Sequence, residues 1–78
     1  MKKTLKAFAK TLGEDQTLRT MYRADPIRAL AHYGIEEISV EELMSQETVE
    51  AFGELFGQDL KDADAYTRIL EFVASGGH

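Results

Sequence analysis

Apolar residues recur along this chain at helical spacing. Leu5, Phe8, Ala9 and Leu12 fall at i, i+3, i+4 and i+7, one face of a helix, while Lys6 and Lys10 lie on the other. Gly13 then predicts a stop. Asp15 is placed to cap a second helix in which Leu18, Met21 and Tyr22 share a face. Asp25-Pro26 ends that helix and starts a third, because Asp offers an N-cap acceptor and Pro at the first helical position lacks only an amide proton the helix cannot use. Ile27, Leu30 and Ala31 form its expected buried stripe, Gly34 its C-terminal stop, and Ile35 a contact back onto the last turn.

Ser39-Val-Glu-Glu42 has the form of a capping box, so a fourth helix is predicted from Val40 with Leu43 and Met44 turned inward. The apolar phase then breaks, and Ser45 caps a fifth helix carrying Val49, Phe52, Leu55 and Phe56 up to Gly57. GQDLKDAD reads as an acidic linker in which Leu60 is the one strongly apolar residue. Beyond it, Tyr66, Ile69, Leu70 and Val73 fit a helical stripe, but the segment is short and runs into Ser75-Gly76-Gly77-His78. No alternating pattern is long enough for a sheet. The expected fold is all-α: a small bundle of four to five short helices with a flexible C-terminal tail, divided into a helical domain over 1–60 and a linker plus tail over 61–78.

Composition narrows the class. With 78 residues, 44% of them apolar and 29% charged, the chain is one small domain, too hydrophobic for a disordered acidic tail and too charged for a membrane span. A domain of this size buries only about 60% of the surface its unfolded chain exposes. There is no cysteine, hence no disulfide framework or thiolate metal site. The opening MKKTLKAFAKTLGED lacks a continuous apolar stretch and does not read as a secretory signal, so a cytoplasmic location is expected.

The net charge of −5 is unevenly spread. Residues 1–35 carry seven Lys/Arg against three acids, net +4; residues 36–64 carry ten acids against Lys61, net −9. The basic residues are scattered over several helices with only Phe8, Tyr22 and Tyr33 among them, a weak footprint for nucleic acid, and no nucleic-acid or membrane partner is expected.

Catalytic chemistry is sparse. A nucleophilic triad requires a base, and His32 and His78 are the only histidines. His32 falls near the end of the third helix, where the helix dipole favours it without any catalytic duty. The carboxylates Glu36, Glu37, Glu41, Glu42, Glu47 and Glu50 lack the glycine-centred loop of a calcium site and read as a solvated face. No phosphate-cradling glycine motif is present. The chain is expected to be no enzyme and to hold no metal or cofactor of its own.

The run Leu5-x-x-Phe8-x-x-x-Leu12-Gly13-x-Asp15-x-x-Leu18-x-x-x-Tyr22-x-x-Asp25-Pro26-x-x-x-Leu30-x-x-x-Gly34-Ile35, with the layout of helical domain, acidic linker and apolar end, resembles the split borosin precursors. The helical domain of that family is itself similar to the small subunit of extradiol ring-cleaving dioxygenases. The resemblance implies a ribosomally made precursor whose helical domain docks on a separate S-adenosylmethionine-dependent α-N-methyltransferase. That enzyme would methylate backbone amides of the C-terminal core peptide, and S-adenosylmethionine would be bound by it rather than by this chain. By analogy, Leu70, Phe72 and Val73, then Ile69, are the expected methylated positions, and Tyr22, Tyr33, Ile35 and Phe56 the expected docking contacts. Two alternatives stay open: a small dioxygenase-type subunit or adaptor covering a catalytic partner, and a leader-like protein for a different modifying enzyme.

Overall fold

The computed structural model describes residues 3–57 and 60–76, and the side chain of Phe56 lies outside that description. The chain is all-α: α1 (Leu5–Glu14), α2 (Gln16–Ala24), α3 (Pro26–Tyr33), α4 (Val40–Leu43), α5 (Gln46–Phe56) and α6 (Leu60–Ala74). Among the described residues there is no strand, and no helix is long and apolar enough to cross a membrane.

The starts of α2 to α5 follow the predicted caps, and Thr4, not anticipated as one, caps α1. The side chains of Thr4, Asp15, Asp25, Ser39 and Ser45 accept from the backbone N–H groups of Ala7, Leu18, Arg28, Glu42 and Thr48. Each satisfies one of the orphan donors that a helix N-terminus leaves. The end of α3 requires glycine. Gly34 takes φ 112°, which lets its own N–H and that of Ile35 reach back to Leu30 C=O at 3.1 and 2.8 Å. Ile35 is thereby turned into the core.

Gly13 does not stop α1. The helix runs on to Glu14 and ends at Asp15, whose N–H still bonds Thr11 C=O at 2.8 Å while its side chain opens α2. One residue closes one helix and starts the next, so no left-handed glycine is needed.

The interior is built around aromatic rings. Phe8 meets Tyr22 and Tyr33 edge-on with centroids 5.9 and 5.4 Å apart, and Phe52 lies against Phe8, Tyr22 and Tyr66. Leu5, Leu12, Leu30, Leu43 and Ile69 complete a fully enclosed core. α1 packs against α5, α2 against α3, and α6 against both α2 and α5.

Several inward assignments move. Ala29 rather than Ala31 is buried in α3. Met44 and Val49 are exposed, at 56% and 42%. In α4 only one turn is available and Leu43 takes its interior position, while the inward phase of α5 is set by Thr48, Phe52 and Leu55.

The largest difference lies at the C-terminal end. Where a linker and flexible tail were expected over 61–78, the described part of that segment is a sixth helix through Ala74. The physical reason is Asp62. It prolongs the buried stripe of Ala65 and Ile69 by one turn and finds its counter-charges on α2. Gly77 and His78 lie outside the described residues.

Candidate functional site

Among the described residues Asp62 is the fully buried charged side chain. Its carboxylate is wholly buried, a position open to a charge only when it is paired and hydrogen-bonded. Arg19 Nη2 donates to Oδ2 at 2.7 Å, Arg23 Nε to Oδ1 at 3.0 Å and Arg23 Nη2 to Oδ2 at 3.3 Å. Arg19 and Arg23 are i and i+4 on α2, so both guanidinium groups emerge on one face. The Tyr22 hydroxyl, between them in sequence, donates to the backbone carbonyl of Asp62 at 2.9 Å. Three donors from one face of α2 thus grip one residue of α6.

The electrostatics agree with that grip. Burial pushes the Asp62 carboxyl upward, but the hydrogen bonds from Arg23 and Arg19 outweigh it and hold the group below its ordinary value. Tyr22 is pushed well above the usual phenol range, chiefly by burial and then by the Asp62 charge. Burial raises Tyr66 as well.

Further along α6 the hold changes character. Tyr66 donates its hydroxyl to Leu43 C=O at 3.2 Å and packs at a tilt against Phe52 with centroids 4.9 Å apart. Arg68 reaches Ala24 C=O at 3.4 Å and pairs with Asp64 at 3.2 Å on the surface. Ile69 is fully buried. Beyond it Leu70, Phe72 and Val73 are only half-buried, Glu71 and Ala74 are exposed, and the last turn contains no basic residue to favour its carbonyl end. The helix closes on Ser75 N–H to Glu71 C=O at 3.0 Å and Ser75 Oγ to Phe72 C=O at 2.9 Å, with Gly76 at φ 109°.

The residues expected as methylation positions, Ile69, Leu70, Phe72 and Val73, therefore sit together on the last two turns of α6. The expected docking contacts whose side chains are described lie in or against the core. Tyr22 is fully enclosed and serves the Asp62 grip, and Ile35 is buried under the α3 terminus, so neither offers a surface in this conformation. Tyr33 is half-buried, its ring against Phe8 and under Lys3 Nζ at 4.9 Å, with its hydroxyl 3.3 Å from Thr11 Oγ1. The Phe56 side chain lies outside the described residues. Exposed His32 lines an open cavity of about 270 Å³ with Lys3, Thr11, Asp15 and Tyr33. Among the described residues no three His, Cys, Asp or Glu gather as a metal-holding group.

Asp62, Arg19 and Arg23 were missed as a set by sequence reasoning. The available signal was the spacing Asp62, Ala65, Ile69, which extends the apolar stripe back into a stretch that otherwise reads as linker. Compared with known protein families, curated proteins and solved structures, the chain matches none.

Proposed function

We propose that this chain is a ribosomally synthesised precursor: a helical domain that docks on an S-adenosylmethionine-dependent α-N-methyltransferase and presents its C-terminal end for backbone methylation. The observation that carries this reading is the unequal hold on α6. Its first half is clamped through Asp62, and the stretch beyond Ile69 carries bulky apolar residues, Leu70, Phe72 and Val73, that the core only half covers.

Methyl transfer from the sulfonium of S-adenosylmethionine to an amide nitrogen requires that nitrogen to lose its proton. In a helix the amide N–H of residue i donates to the carbonyl of i−4. The substrate segment must therefore leave the helix before it reacts. Each amide released forfeits about 1 kcal/mol of net hydrogen bonding, and the half-covered side chains add little to that. Extracting fully buried Ile69 costs about 1.5–3 kcal/mol more. Val73, Phe72 and Leu70 are accordingly modified before Ile69. The Asp62 grip keeps the remainder folded as a handle. Each methylated amide becomes tertiary and loses its donor, so the modified end cannot rejoin the helix.

Co-expression with an α-N-methyltransferase encoded beside this chain, followed by peptide mass spectrometry, tests the proposal. Added methyl groups confined to residues 69–73 are expected. An unmodified C-terminal peptide alongside an enzyme active on its own cognate substrate contradicts it.

A second function, a small dioxygenase-type subunit or adaptor that covers a catalytic partner, is favoured by the burial of Ile69 and Ala65, which makes α6 part of the core. Copurification with a ring-cleaving large subunit, with no methyl added to the chain, would decide for it.

A further inference from the structure

Three of the four large apolar residues exposed among those described, Val40, Met44 and Val49, lie within ten positions of one another. Val40, the first residue of α4, and Met44, which caps its C-terminal end, are 55% and 56% exposed and stand one turn apart, joined by Met44 N–H to Val40 C=O at 2.9 Å. This turn is not exposed through looseness. Leu43 is fully buried with its carbonyl accepting from Tyr66, and Glu42 Oε2 accepts from Leu5 N–H at 2.9 Å. The inward side chains fasten the turn to α1 and α6, and the outward ones are held in water.

The stretch of chain that carries Val40 and Met44 is acidic in sequence, with Lys6 of α1 beside Glu47. Residues 36–57 contain seven glutamates and no Lys, Arg or His. Glu42 is engaged by Leu5 N–H, Glu47 by Lys6 and Glu50 by Gln46. Exposed Glu36, Glu37 and Glu41, beside Val40 and Met44 in the chain, have no ion-pair partner among the described residues. Negative charge at this density repels nucleic-acid phosphates and anionic lipid headgroups. It complements cations.

We propose that the outer face of α4 is a docking surface for a basic amphipathic helix of a partner protein. The apolar stripe of such a helix covers Val40 and Met44, and its Lys or Arg residues pair with Glu36, Glu37 and Glu41. An unbranched methionine adapts to whatever side chain lies against it, which suits contact with the apolar stripe of a helix. The surface is independent of the methylation proposal, since it requires no modifying enzyme and no release of α6.

The test is a titration of the ¹⁵N-labelled full chain with a synthetic leucine–lysine amphipathic helical peptide, with its leucine–glutamate counterpart as control. Amide shifts centred on 36–49, absent with the acidic peptide and abolished by the double substitution V40S/M44S, are expected. Both positions are exposed, so circular dichroism of that variant should match the parent. The triple variant E36Q/E37Q/E41Q should retain the shift pattern but lose its salt dependence. No shifts, shifts spread evenly over all acidic residues, or unchanged binding by V40S/M44S would each overturn the proposal.

Discussion

The two ends of α6 are held by different physics. At Asp62 a buried charge meets two guanidinium groups and a phenol from a single face of α2. Around Val73 the helix rests on the core through half-covered apolar side chains, with no described hydrogen bond from a side chain of α1 through α5. A polar grip is all-or-none, because withdrawing one partner leaves the other buried and unpaired. An apolar contact at a helix end loosens gradually. One helix can therefore serve as both anchor and releasable segment, and the boundary between the two falls at Ile69.

The largest expected effect breaks the anchor. Asp62→Ala should destabilise the domain by about 3–5 kcal/mol in urea unfolding, because it removes a fully buried charge to which Arg19 and Arg23 both donate. For a domain of this size that is a large share of the total, commonly about 5–15 kcal/mol. Ile69→Ala, at the boundary, should cost about 2–4 kcal/mol by the same measurement.

Acid should reproduce the first effect without mutation. The folded-state pKa of Asp62 lies below its unfolded value, so its stabilisation is complete above about pH 4 and is lost as pH falls through the folded value. Thermal midpoints measured downward from pH 5 should drop for the parent and stay flatter for Asp62→Asn.

Gly34→Ala, remote from α6, should cost about 1–2 kcal/mol, since alanine at φ 112° is strained and its Cβ meets Lys3 Cδ at 3.1 Å. The smallest effect belongs to the releasable end. Phe72→Ala and Val73→Ala should each change stability by about 1 kcal/mol or less, because their apolar area is only partly removed from water. A loss at Val73 as large as that at Ile69 would erase the distinction between the two ends.

Much of the fold was legible because it is locally encoded. Asp15, Asp25-Pro26, Gly34, Ser39 and Ser45 mark helix boundaries through contacts within a few residues. The capping box at Ser39 was legible only in part. Ser39 caps Glu42 N–H as expected, but the Glu42 carboxylate turns to Leu5, 37 residues away. The start of α6 was hidden for the same reason. An aspartate in GQDLKDAD reads as solvated until Arg19 and Arg23, 43 and 39 residues earlier, are brought beside it. Tyr22 and Ile35, aromatic and apolar residues that suit an interface, are consumed by the core. The apolar end of the chain was legible as a group of residues, but its helical state depends on a clamp that no local pattern announces.

Amide-resolved native-state hydrogen exchange across α6 tests the two-ended helix most directly. The amides of Tyr66 to Ile69 should exchange only with global unfolding, following its denaturant dependence. Those of Leu70 to Ser75 should exchange through a local opening of lower free energy that denaturant barely affects. Uniform protection from Tyr66 through Val73, sharing one denaturant dependence, would contradict the account.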